Sequence, residues 1–328
     1  MNKGISVILC CYNSVSRLKP TLIHLAKQNV PKHIPWEIII IDNNSNDGTG
    51  EIAKEIWNSF NVSYSLKVKK ELRAGLSHAR KKGIKTAQYK YIVFCDDDNW
   101  LNDDYLLIAF EVMESNPKIG ILGGQGEATF EVKPPKWFRE VEKKYAIGQQ
   151  GDDGKQSFVQ TVYGAGMIVK SELYSKLENL NHKPILTGRK GEQLSSGEDD
   201  ELCLAAQLLG YEIHCNNELR FKHFIPKERL TKAYFSKLSK GMIHGGFVLY
   251  AYILVLKKVK CSYFNYALAT IYLLTKNTFV FIYRNLSIQS KQKRISNLHI
   301  YTLYIYFLLY PKTLLKHWRE LEKSKLNG

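Results

Sequence analysis

Tyr91-Ile92-Val93-Phe94-Cys95-Asp96-Asp97-Asp98-Asn99 is the stretch on which the fold turns. Its first five residues are apolar, rich in β-branched and aromatic types and too few for a helix, so they read as a buried strand. Upstream, Ala74–Ala87 has a helical pattern and Tyr64–Val68 a strand pattern. Ile52, Ile56 and Phe60 mark a further helix face. Trp36–Ile41 is another strand, ending at Asp42 and the polar turn Asn43–Gly48. Arg17–Gln28 carries Leu18, Leu22 and Leu25 at helical spacing, and Ile5–Cys11 opens the chain as a strand. Short apolar runs alternating with helices over the first 120 residues predict βαβ units, a parallel sheet and an α/β fold. Ligands of open α/β sheets bind beyond the carboxyl ends of the strands. Three such ends here carry Tyr12-Asn13, Asp42 and Asp96–Asp98. Residues 121–228 hold more Gly and Pro and predict a mixed α+β half.

The 328 residues carry 47 Lys and Arg against 31 Asp and Glu, a net charge of +16. That balance suggests a nucleic-acid binder until its distribution is considered. Residues 229–328 hold 17 Lys and Arg but only Glu320 and Glu322, which leaves residues 1–228 with 30 bases and 29 acids. The basic third is also aromatic and apolar, in Gly245–Leu256, Tyr263–Leu274 and Tyr301–Tyr310. Between these runs lie Lys257, Lys258 and Lys260, then Lys291, Lys293 and Arg294. Each run is shorter than the ~20 apolar residues of a membrane span, and Lys276 interrupts the longer Tyr263–Tyr283. Basic, aromatic helices suit an anionic bilayer surface, against the plainer reading of a soluble helical unit with its Lys side chains in water. No recognition motif supports nucleic acid. Six scattered cysteines, three of them (Cys10, Cys11, Cys95) inside apolar runs, fit free thiols in a reducing cytosol. The N-terminal apolar stretch is too short for a signal peptide.

Three carboxylates abutting a buried strand repel one another unless a counter-charge intervenes. A hard divalent cation bridging to a diphosphate supplies one, since such cations take oxygen ligands and keep substrate phosphates as partners. The competing reading is an acidic helix cap. Asp42 can accept hydrogen bonds from a nucleobase or ribose, although Asp is favoured in turns anyway. Gly197-Glu198-Asp199-Asp200-Glu201 precedes the helical run Leu202–Leu209. Acids favour a helix N-terminus, but four in succession exceed what capping needs, and one could act as a general base on a hydroxyl. His223, in Arg220-Phe221-Lys222-His223-Phe224, is by itself an ordinary solvated or structural histidine.

Together these stretches resemble the family 2 glycosyltransferases of the GT-A fold. Ser6–Asn13 looks like that family's opening strand, Asp42–Thr49 its Asp-rich second-strand turn and Gly75–Gly83 its Ala-Arg helix. Asp96–Asp98 stands where the family has its DXD motif. Gly164–Met167 and Ser196–Asp199 resemble its acceptor-side motifs, so the resemblance covers about residues 4–230. It implies a Rossmann-like nucleotide-binding sheet in residues 1–120, an acceptor-binding half in 121–228 with the Glu-Asp motif, and a helical, membrane-associating, basic-aromatic region in 229–328. It makes Asp42 the base-recognising acid and lines the nucleotide pocket with Cys10 and Tyr12. Asp96 and Asp97 fall near the ribose and phosphates, and Asp98 becomes the main ligand of Mn2+ or Mg2+, with Asp96 and His223 able to join it. Arg73 or Arg80 would meet the diphosphate. Asp199 becomes the catalytic base, with Glu198 its neighbour.

The implied reaction moves one sugar, with inversion, from a nucleotide-sugar donor, expected to be UDP-linked, to a hydroxyl acceptor. The Gln-x-x-Arg-Trp motif of processive synthases is absent, which favours single addition. The first strand has Cys10 where the family usually has Pro. The basic C-terminal third points to a lipid-linked or glycan acceptor at the cytoplasmic face of a bacterial inner membrane, in surface-polysaccharide biosynthesis. Two rivals remain. A catalytically degenerate nucleotide-sugar-binding or scaffold protein is disfavoured by the intact Asp98 and Asp199. A nucleotidylyltransferase would need a Gly-rich basic phosphate loop that Cys10–Ser14 does not provide.

Overall fold

The computed structural model describes residues 2–153, 159–189, 196–286, 307, 309–324 and 326. The first hundred residues alternate as the hydrophobic pattern dictates: β1 (Asn2–Cys11), α1 (Val15–Ala26), β2 (Trp36–Asp42), α2 (Thr49–Ser59), β3 (Leu66–Lys70), α3 (Leu76–Thr86) and β4 (Tyr89–Phe94). There follow β5 (Asn99–Leu101), α4 (Tyr105–Ser115), β6 (Ile119–Phe130), β7 (Ile168–Lys170), α5 (Ser171–Asn179), α6 (Glu198–Leu208) and β8 (Glu212–Ile225). The chain then becomes helical, with α7 (Lys232–Leu256), α8 (Tyr263–Leu286) and α9 (Pro311–Lys323).

All eight strands join one sheet, in the order β3-β2-β1-β4-β7-β6-β8-β5. The parallel sheet expected of the first 120 residues is realised in β3-β2-β1-β4. It does not extend further: β7 pairs antiparallel with both β4 and β6, and β5 antiparallel with β8. Position 120 lies inside β6, and residues 1–120 and 121–228 both contribute strands to one sheet.

β2 is buried along its whole length, as an internal parallel strand covered on both faces must be. Its alternate residues serve different cores. Ile39 and Ile41 pack with Ala79 of α3, Leu204 of α6 and Phe247 of α7. Ile38 and Ile40 pack with Leu18 and Leu22 of α1, Ala53 of α2 and Leu106 of α4. Each fully buried aliphatic side chain contributes about 1.5–3 kcal/mol, so both faces of the sheet are held firmly.

α7 packs into the α/β body. Its 25 residues, with a mean hydropathy of 1.3 in the most apolar window, are long and apolar enough to cross a membrane, but half of that window is buried inside the protein. Phe247, Ala251, Tyr252 and Val255 face the core shared with α6 and with Trp318 of α9. Gly245 lets the helix backbone approach Ser196: a Cβ there would lie 2.4 Å from the Ser196 carbonyl oxygen. α7 is therefore a structural wall of the α/β body. The basic cluster Lys291, Lys293 and Arg294 lies outside the described residues, as does Tyr301–Tyr306.

Candidate functional site

The exits of β1 (Cys10 to Tyr12), β2 (Asn43) and β4 (Asp96 to Asp98) line a cavity of about 730 Å³. The N-terminus of α6 and the first turns of α7 line it as well. That volume lies in the range of small-molecule sites.

The three carboxylates after β4 are sorted by their partners. Asp97 takes the Ser14 hydroxyl and an ion pair from Arg17 at 2.8 Å, while the Thr21 hydroxyl donates to its backbone oxygen. Asp97 thus ties α1 to the strand end. Its pKa is raised by burial and by Asp98, with Arg17 opposing. Asp98 is buried beside Arg229, whose Nη1 lies 2.9 Å from Oδ2. Burial alone would raise the Asp98 pKa, but Arg229 and His223 outweigh it and hold the carboxyl far below its ordinary range. Asp96 lines the cavity and accepts a bond from Asn99 Nδ2 at 3.3 Å.

The pairing of β5 with β8 sets Asn99 opposite His223, which brings His223 Nε2 to 3.6 Å from Asp98 Oδ1. Nδ1 lies 2.7 Å from the Tyr145 carbonyl oxygen. A carbonyl only accepts, so Nδ1 carries a hydrogen, and Nε2 is the ring nitrogen turned toward Asp98. A carboxylate oxygen beside an oriented imidazole nitrogen fits Mn2+ or Mg2+. Among the described residues no three His, Cys, Asp or Glu side chains converge into a complete cage. Asp98 and His223 would therefore share a cation with phosphate and water oxygens.

At the start of α6, Gly197 adopts φ +107° as the N-cap, a left-handed conformation that glycine tolerates. Asp199 follows, its carboxylate accepting the backbone N–H of Gly164 and, at 3.2 Å, that of Asp200. Glu198 sits 3.5 Å from Arg80. Burial and Asp199 raise the Glu198 pKa, with Arg80 opposing. Burial and Asp199 also push Asp200 up to about 7. Glu201 turns away from the cavity and accepts the N–H groups of Ile185 and Leu186 and the Tyr252 hydroxyl.

Arg80 lies near acids of both clusters, Glu198 and Asp96. Its guanidinium lies 5.1 Å from the Phe94 ring centre. Burial works against its charge, but Glu198, Asp96 and Asp199 together raise its pKa. Gly164 permits this: a Cβ there would stand 2.7 Å from Arg80 Nη2 and 3.3 Å from Asp199 Oδ2. Arg73 is not brought to the site; its exposed side chain pairs with Glu71 at 2.9 Å. Asp42 is buried, with Oδ1 accepting the Ser45 N–H at 3.0 Å, while its neighbour Asn43 lines the cavity. Cys10 lines the cavity as a neutral thiol, its pKa pushed up to about 12 by burial, and Tyr12 stands half exposed at the wall. Arg17, Tyr145 and Arg229 were not singled out from sequence. None lies in a motif, and only the fold brings them to the acids.

The sequence profile described as "Glycosyl transferase family 2" matches residues 6–177. The chain belongs to the family 2 glycosyltransferases. It is 34% identical over 122 residues to a poly-beta-1,6-N-acetyl-D-glucosamine synthase of Staphylococcus epidermidis, an alignment covering 37% of this chain and 28% of that protein. The transferase thus matches little more than a quarter of the length of that curated relative. Its fold is shared with the mannosyltransferase PcManGT of Pyrobaculum calidifontis, solved with GDP-Man and Mn2+ (TM-score 0.59, 17% identity, 94% of this chain and 88% of that one). It is shared also with residues 1–349 of Staphylococcus aureus TarS, solved with UDP (TM-score 0.53, 16% identity, 98% and 90%). The transferase accordingly has the GT-A fold.

Proposed function

We propose that this transferase moves one sugar, with inversion, from a nucleotide sugar to a hydroxyl of a lipid-linked glycan. The observation that carries this reading is Asp199, held by two backbone N–H groups in the same cavity as Asp96–Asp98. The diphosphate of the donor lies over the ends of β1 and β4, and Arg80 supplies positive charge near Asp96 and Glu198. Asp199 takes the proton of the acceptor hydroxyl. The freed oxygen attacks the anomeric carbon from the face opposite the leaving group, the bond to the diphosphate breaks, and one displacement inverts the centre. Asp98 and His223 would hold a divalent cation, whose charge offsets that developing on the leaving diphosphate. Neighbours solved with UDP, with UDP-GlcNAc and with GDP-Man and Mn2+ support a nucleotide-sugar donor and a divalent metal. A UDP-linked donor is our choice among these. The lack of a Gln-x-x-Arg-Trp sequence favours single addition.

The acceptor and its location rest on the C-terminal third. Phe264, Leu268, Ile271 and Tyr272 are about half exposed or more and share one face of α8, with Tyr263 beside them and Lys257, Lys258 and Lys260 just upstream. An apolar stripe bordered by lysines suits the cytoplasmic surface of an anionic inner membrane, where a lipid-linked acceptor resides. The test is transfer from labelled nucleotide sugars into a bacterial lipid extract. Asp199→Asn is expected to lose at least about a hundredfold in rate while nucleotide-diphosphate binding stays within about twofold. Retained transfer would overturn the assignment.

A further inference from the structure

We propose that Arg229 is a switching ligand of the donor diphosphate. Its guanidinium holds Asp98 and His223 while the site is empty of donor and passes to the phosphates when donor and cation arrive. This rests on the donor site proposed above and adds a residue and an exchange to it. Arg229 Nη1 lies 2.9 Å from Asp98 Oδ2 and 3.4 Å from His223 Nε2. Those two side chains are the pair suited to a divalent cation, so the guanidinium and the cation compete for the same carboxylate and the same ring nitrogen. Both positive charges cannot stay there at close range without repulsion.

The local structure allows the head of Arg229 to move while its backbone stays. The Tyr145 hydroxyl donates to the Arg229 carbonyl oxygen at 3.1 Å, and the Tyr145 carbonyl holds His223. Two residues on, Thr231 caps α7 by accepting the Tyr234 N–H at 3.1 Å. The side chain itself lines the cavity and remains 18% exposed. Asp97 has its own partner in Arg17, so release of Arg229 does not strip the cluster of positive charge. A diphosphate presents oxygens that a guanidinium can grip through two N–H groups at once, a match an ammonium lacks.

The exchange predicts effects of opposite sign. Titrations of the full chain are made with Mn2+ alone, followed by its electron paramagnetic signal. UDP, GDP, CDP and dTDP are then titrated by calorimetry with Mn2+ held saturating. Arg229→Gln is expected to bind Mn2+ alone about tenfold more tightly, because the competing cation is gone, and the preferred diphosphate at least tenfold more weakly. Arg229→Lys, which keeps a charge without the fork, is expected to recover competition with Mn2+ but not the diphosphate affinity. Weakening of both ligands in Arg229→Gln would mark Arg229 as a support for the site and overturn the exchange, as would no change in either. If the unaltered chain binds no diphosphate with Mn2+, the donor-site reading fails and the exchange with it. If it binds one and the opposite signs are missing, the exchange alone fails.

Discussion

Asp97 and Asp98 are adjacent, chemically identical and committed to different work. Asp97 is spent on Arg17 and Ser14, which fix α1, whereas Asp98 faces His223 and Arg229. Substitutions should separate them. Asp97→Asn removes the ion pair to Arg17, which keeps the Asn13 and Tyr12 carbonyl oxygens, and is expected to lower stability by about 1 kcal/mol, read by denaturant unfolding. A stability unchanged within about 0.3 kcal/mol would mean the pair contributes nothing. Gly164→Ala sets a methyl 2.7 Å from Arg80 Nη2 and is expected to cut turnover about tenfold with little loss of stability. Unchanged turnover would show that the fit of Arg80 against Asp199 is immaterial. The acidic run after β4 was legible because three carboxylates beside a buried strand are electrostatically expensive. Which carboxylate takes which cation was not legible, since Arg17 and Arg229 reach them only through the folded chain. Asp42 ends β2 as its sequence position implies, and its Oδ1 accepts the Ser45 N–H of the turn that follows.

At the scale of elements, the 3.6- and 2-residue periods located β1 to β4 and the helices between them. They could not foretell that β7 would insert antiparallel beside β4, or that three residues of β5 would pair with β8 and set His223 next to Asp98. Such pairings depend on which sheet edge is left open, which no local pattern encodes. The N-terminus of α6 carries two predictions. Asp200, pushed up to about 7 from 3.8, binds its proton more tightly folded than unfolded. Its contribution to stability is therefore full below pH 3.8 and is lost as pH rises through about 7. Asp200→Asn should gain about 2 kcal/mol more over the unaltered chain at pH 8 than at pH 5; a gain independent of pH would contradict this. Glu201→Ala leaves the N–H groups of Ile185 and Leu186 and the Tyr252 hydroxyl without their acceptor. A loss of about 3 kcal/mol in denaturant unfolding is expected, and a loss under about 1 kcal/mol would mean that other groups take over those donors.

For the whole molecule, the distribution of charge was readable in sequence, but the part each C-terminal helix plays was not. α7 has a span-like composition and nevertheless forms a wall between α6 and α9. Removing everything after Leu230 would uncover that core, so the membrane proposal is better tested on the intact chain. Phe264→Glu combined with Leu268→Glu should reduce co-sedimentation with phosphatidylglycerol vesicles about tenfold without altering the unfolding midpoint, because both side chains are largely exposed. Unchanged sedimentation would remove α8 from the membrane contact. The central claim, however, concerns the ends of the strands, where the donor diphosphate is placed over Asp98 and His223. Calorimetric titration of the full chain with UDP, GDP, CDP and dTDP, each with and without Mn2+, tests it most directly. One diphosphate should bind in a metal-dependent manner, and Asp98→Asn should abolish that dependence. Binding that ignores both the metal and Asp98, or no binding by any of the four, would contradict the account.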